Sequence, residues 1–168
     1  MTKSKILAAI VEDIVIVKIE GKGSFQNSKT LKEFLDKMLE RGYKKFIFDF
    51  NDCITMDSTF MGTLAGLSIK LKKSGEEGKI VIVSPNKQCY RLLTTLGLDR
   101  IIEIRSKLNN IGDVTFEKVE EKKSMSKEEQ VIMAIEAHEN LIKISPENEV
   151  KFKNVLSLLR EYLDKGEE

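Results

Sequence analysis

The sequence predicts an α/β domain with a mostly parallel sheet, followed by a pair of antiparallel helices. Three observations predict it. Short runs of β-branched and aromatic residues alternate with amphipathic stretches across residues 1–108, and strands that alternate with helices pack as parallel sheets with right-handed crossovers. Glycine, proline and capping residues punctuate those segments at the places where each should end. Beyond Arg105 the chain first turns polar and charged, then shows two stretches of helical period. The predicted order is ββαβαβαβ over 1–108, with a linker over 109–125 and a helical hairpin over 126–168.

The elements follow in order. Ile6 to Val11 and Ile14 to Glu20 read as strands joined at Glu12-Asp13, a hairpin that Gly21-Lys22-Gly23 ends. Ser28 is the expected N-cap of a helix whose apolar face is Leu31, Phe34, Leu35, Met38 and Leu39, stopped by Gly42. Lys45 to Phe50 (KFIFDF) has the density of a buried strand. Asn51 to Thr59 reads as a polar turn with an acidic end, leading into a helix with Phe60, Leu64, Leu67 and Leu71 on its core face. Lys79 to Val83 is a further strand, and Ser84-Pro85 places proline at the first position of the next helix. Cys89, Leu92, Leu93 and Leu96 form that helix's stripe, Gly97 its terminating glycine, and Ile101 to Ile104 the last strand.

Residues 106–125 hold Asn109-Asn110, Gly112 and the charge run Glu117 to Lys123, the texture of a linker. Ser126 to Glu129 is a capping box. Val131, Ile135, His138 and Ile142 mark one face of the helix it opens. Ser145-Pro146 is the expected start of another, with Phe152, Val155, Leu156, Leu159, Tyr162 and Leu163 inside. Two helices cannot bury such stripes by themselves, so they must dock on the α/β body or pair with a second copy as a homodimer.

Composition narrows the function. The 168 residues are 41% hydrophobic and 33% charged, which suits a folded domain and excludes disorder. Residues 1–111 carry 19 Lys/Arg against 13 Asp/Glu (+6), and residues 112–168 carry 9 against 14 (−5), summing to the net +1. The basic residues are scattered and lack an aromatic platform, so no nucleic-acid partner is expected. No apolar run reaches the roughly 20 residues of a bilayer span, and no secretory leader opens the chain, so no membrane partner and a cytoplasmic location are expected. Cys53 and Cys89 read as reduced, buried thiols.

No phosphate loop, GxSxG elbow or HExxH pattern occurs, and the single histidine, His138, lies in the extension. His138 reads as a packed or half-exposed core residue on an apolar stripe. Asp49, Asp52 and Asp57 gather at the end of the KFIFDF strand, where open α/β sheets bind ligands. They either terminate the strand and cap the next helix, or hold a cation or act as an acid/base pair. No catalytic residue, cofactor or metal is expected. Ser58 is the sharper feature, because it falls where the turn becomes helix, so its hydroxyl should face solvent. A phosphate there would meet unpaired backbone N–H groups and the helix's positive end, while its added charge would repel an acidic docking face. The alternative is that Asp57 or Ser58 is merely a cap.

The run Phe48-Asp49-Phe50, Met56-Asp57-Ser58-Thr59-Phe60-Met61-Gly62, then Lys79 to Val83 and Arg91 to Leu98, resembles the STAS domain family of anti-sigma-factor antagonists and transporter domains. The resemblance implies a STAS-like fold over residues 1 to about 108 and a binding module, not an enzyme. It implies a partner that is both anti-sigma factor and serine kinase, with a histidine-kinase-like fold, and a serine phosphatase that resets the system. By the same resemblance the phosphoacceptor is Ser58, with Thr59 second, and the partner surface is Asp57, Ser58, Thr59, Phe60 and Met61. Where the family continues with Gly and a small aliphatic residue, this chain has Phe60 and Met61, and Phe60 either fills the core or stands in the docking surface. The alternative function is a constitutive scaffold or oligomerisation module.

Overall fold

A computed structural model describes residues 4–75, 78–107, 113–121 and 124–166. Met1 to Lys3, and Asn109, Asn110, Gly112 and Lys123 of the expected linker, lie outside the described residues. The chain opens with an antiparallel hairpin of β1 (Lys5–Val11) and β2 (Ile14–Gly23), turned at Glu12 with φ of +56°. Then come α1 (Phe25–Glu40), β3 (Lys45–Asp49), β4 (Cys53–Met56), α2 (Ser58–Lys73), β5 (Lys79–Val83) and α3 (Lys87–Thr95). A short 3-10 turn (Leu98–Arg100), β6 (Glu103–Arg105), β7 (Glu117–Lys118), α4 (Lys127–Ile144) and α5 (Asn148–Gly166) complete it.

Among the described residues, seven strands form one sheet in the order β6-β5-β3-β2-β1-β7, with β4 added beside β2. The pairs β6–β5, β5–β3, β3–β2 and β2–β4 are parallel, whereas β1 is antiparallel to both neighbours. Register builds the core directly. Val15, Phe46 and Ile80 lie abreast on β2, β3 and β5, and Val17, Phe48 and Ile82 form the next row. All six are buried against Leu31 and Leu35 of α1, Leu64 and Leu67 of α2 and Leu93 of α3. Each such large side chain removed from water contributes about 1.5–3 kcal/mol.

Several boundaries differ from expectation, each for a local reason. Helix α1 starts at Phe25, not after Ser28, because Ser24 and Asn27 form a reciprocal capping box; Ser28 lies inside the helix and donates to the Ser24 carbonyl at 2.7 Å. Helix α3 is capped by Asn86, whose Oδ1 accepts from the Cys89 N–H at 2.7 Å, while Ser84 takes a positive φ of 57° in the turn. Two strands were absent from the expected order. Half of the supposed polar turn is β4, and Glu117–Lys118 of the supposed linker is β7, which pairs with Leu7 and Ala8. Ser145 ends α4, and α5 begins at Asn148.

The extension docks on the domain. Helix α4 lies along α2 and touches α1, and α5 packs on α4. Asn148, buried between them, donates to the carbonyls of Leu96 (2.9 Å) and Leu141 (2.8 Å), tying the hairpin's turn to the end of α3. Gly97, at φ +81°, keeps this approach open: a Cβ there would lie 3.1 Å from the Ser145 Cβ.

Candidate functional site

Strand β4 delivers Asp57 to the junction of two helices. Its Oδ1 accepts from the Phe60 N–H at 2.9 Å and its Oδ2 from the Phe25 N–H at 2.8 Å. One carboxylate therefore closes the first turn of α2 and meets the first residue of α1, where both helix dipoles favour negative charge. Its own backbone N–H donates to Gly23 at 2.8 Å, fastening β4 to β2.

Ser58 follows as the first residue of α2. It was expected to face water. It is instead half-buried, because α4 lies over this end of α2, and its Oγ sits 2.8 Å from Nε2 of His138. The other ring nitrogen, Nδ1, is 2.6 Å from the Ala134 carbonyl. A carbonyl only accepts, so Nδ1 carries a proton; in the neutral ring Nε2 is then an acceptor and the Ser58 hydroxyl donates to it. The ring is braced edge-on by Phe152 of α5, with centroids 4.8 Å apart. His138 is thus packed, as its stripe suggested, but it also grips the serine.

The remaining predicted partner residues do not form a surface. Phe60 and Met61 are fully enclosed in the core. The Phe60 ring lies on Gly23, where a Cβ would come within 2.7 Å of it, so Phe60 fills the core and does not stand in a docking surface. Thr59 is also buried, its carbonyl accepting from the Thr63 hydroxyl at 3.1 Å. Of the five, Asp57 and Ser58 retain partial access.

The acidic cluster disperses. Asp49 accepts from the Asn51 N–H at 2.9 Å, Asp52 pairs with Lys18 at 3.1 Å, and Asp57 caps α2. Among the described residues, no three His, Cys, Asp or Glu side chains converge as cation ligands, and no helix is long and apolar enough to cross a membrane. Cys53 and Cys89 are buried with sulfurs 3.9 Å apart; the hydrogen bond shared with Cys89, which favours the protonated Cys53, and burial push the Cys53 thiol far up.

The comparisons with known proteins fit this geometry. The sequence profile of the STAS domain matches residues 5–111. The chain belongs to the STAS domain family. A Thermotoga maritima protein named "Putative anti-sigma factor antagonist" is 31% identical over 96 residues, which is 56% of this chain and 83% of that protein. A Thermotoga neapolitana homologue matches to the same extent. The crystal structure of the T. maritima protein superimposes with a TM-score of 0.56 at 28% identity, covering 60% of this chain and 86% of that one. The anti-sigma factor antagonist SpoIIAA in its unphosphorylated form shares the fold at a TM-score of 0.51 and 15% identity, covering 63% of this chain and 90% of that one. The STAS match ends before α4 and α5, so the helices that cover Ser58 are an addition to the domain.

Proposed function

We propose that this STAS protein is an anti-sigma-factor antagonist whose docking site is Ser58 and the α2 helix behind it. Its partner is an anti-sigma factor with serine-kinase activity and a histidine-kinase-like fold, which phosphorylates Ser58, and a serine phosphatase reverses the reaction. The observation that carries the reading is the position of Ser58 as the first residue of α2, directly after the Asp57 cap. The two Thermotoga relatives named as antagonists support it. In the transfer step the Ser58 Oγ attacks the γ-phosphorus of ATP held by the kinase. The new O–P bond forms as the bond to the bridging oxygen breaks, ADP leaves, and the hydroxyl proton passes to a base. A phosphoryl group at this position meets the α2 N-terminus, so the domain tolerates it, while about −1.5 to −2 of added charge beside Asp57 repels an acidic partner face.

The test is phosphate mapping by mass spectrometry after incubation with the serine kinases of the same genome and ATP. Modification at Ser58 is expected, and Ser58→Asp should bind the kinase more weakly than Ser58→Ala. No phosphate at Ser58 with any of them overturns the reading. A second reading, a constitutive scaffold that pairs with another copy through α5, is favoured by Leu158 and Tyr162, which are 65% and 45% exposed. Light scattering separates the two, since a monomer at all concentrations removes the scaffold.

A further inference from the structure

Helix α4 occupies the side of α2 that begins at Ser58. That side is made of Thr59, Gly62, Thr63 and Gly66, whereas Phe60, Met61, Leu64, Leu67 and Leu71 point into the core. The two helices approach closely because glycine allows it. A Cβ at Gly62 would fall 2.3 Å from the Ala137 carbonyl oxygen, and one at Gly66 would fall 2.8 Å from the Asn140 amide nitrogen. Small and weakly polar, this side of α2 loses little when exposed to water. The apolar side of α4, with Val131, Met133, Ala137 and the fully buried Leu141, has no comparable freedom. The domain can therefore do without the hairpin more easily than the hairpin can do without the domain.

We infer that α4 is an intramolecular occupant of the partner face, holding Ser58 through His138, so that a kinase must displace the hairpin before it can dock. This rests on the antagonist reading above. The contact is made at three places that reinforce one another. His138 holds Ser58 at 2.8 Å, Ala137 and Asn140 sit on Gly62 and Gly66, and Asn148 and Lys151 hold the Leu96 and Thr95 carbonyls at 2.9 and 2.7 Å. Phe152 of α5 backs the imidazole, so both helices of the hairpin take part. Charge contributes modestly: Lys29 of α1 meets Glu129 of α4 at 3.5 Å, in a partly exposed pair of the kind that adds little. A macromolecule cannot bring ATP to the Ser58 oxygen while a helix lies across it. The occupant is tethered, so it competes at high effective concentration and lowers the apparent affinity of any partner by the fraction of chains that are open.

The test uses the full chain, Gly62→Ala and His138→Ala, each incubated with the purified serine kinases of the same genome, Mg²⁺ and γ-labelled ATP. Gly62→Ala wedges the helices apart and leaves His138 in place; His138→Ala removes the hold on Ser58. Both are expected to raise the initial rate of Ser58 phosphorylation, Gly62→Ala by roughly 5- to 150-fold, the range of a 1–3 kcal/mol coupling. Rates equal to the parent's overturn the masking and leave the antagonist reading intact. A slower rate for His138→Ala also overturns it, and assigns the imidazole as the proton acceptor in the transfer. Phosphate on none of the three proteins sinks the antagonist reading itself, and the masking with it.

Discussion

Replacing Gly62 by alanine separates the hairpin's stability from that of the domain. The added Cβ would lie 2.3 Å from the Ala137 carbonyl oxygen and 2.5 Å from its carbon, against an ordinary contact that begins near 3.4 Å. Both are backbone atoms, so no side-chain rotation relieves the clash, and α4 must retreat by about 1 Å. Overpacking of this kind costs about 1–3 kcal/mol. Within α2 the same change is favourable by up to about 1 kcal/mol, because alanine prefers a helix interior to glycine. The loss therefore falls on the α2–α4 contact. Hydrogen exchange read by mass spectrometry should show amides from Val131 to Leu141 exchanging roughly 5–150-fold faster, while those of β2, β3 and β5 keep their protection. Unchanged exchange in α4 would refute the close approach. Equal loss in the sheet would show that hairpin and domain unfold as one unit, and would refute the idea of a detachable cover.

The other expectations concern the domain. Asp57→Ala removes the acceptor for the Phe60 and Phe25 N–H groups and should cost about 1–2 kcal/mol, lowering the melting temperature by several degrees in a thermal melt; Asp57→Asn, which keeps an acceptor, should cost less. Asp36 is partly buried, which raises its pKa, but Lys70 at 2.6 Å and Lys32 at 3.1 Å outweigh burial and hold its carboxyl below the usual range. A lowered folded-state value contributes stability above the unfolded-state value of about 3.9, and that stability is lost as pH falls through the folded value. Asp36→Asn should accordingly be less stable than the parent by about 0.5–1 kcal/mol at neutral pH, with the gap narrowing toward pH 3 in urea titrations. A gap that widens in acid would refute the pairing.

Much of the fold was legible because hydrophobic period and turn chemistry agree over most of the first hundred residues. KFIFDF and KIVIV became the central strands β3 and β5, and Gly97 ends α3 with the expected positive φ. The misses were places where local signals competed. Ser24 carries a weak capping signal in the sequence because its partner is Asn27, not the more familiar Glu or Gln. Strand β4 is only four residues long and is held by pairing with β2, a long-range contact that no window of sequence displays. The location of Ser58 followed from its place after Asp57, yet its environment did not. The most apolar stripe legible on α4 runs through Ile135 and Ile142, both half-buried, whereas the contact is carried by Ala137 and Leu141. Small residues at a close helix crossing leave little trace in hydrophobic periodicity. A paired Gly62 and Gly66 on one side of α2 was the available hint that another helix would lie there.

The chain holds a single histidine, so long-range ¹⁵N–¹H correlation of its imidazole reads the Ser58 contact without ambiguity. At about pH 8, where an ordinary imidazole is neutral, the ring should hold the tautomer protonated at Nδ1, with Nε2 an acceptor whose shift moves when Ser58 is replaced by alanine. A ring protonated at Nε2, or one indifferent to Ser58→Ala, would mean that His138 does not hold the serine and that α4 is no cover for it.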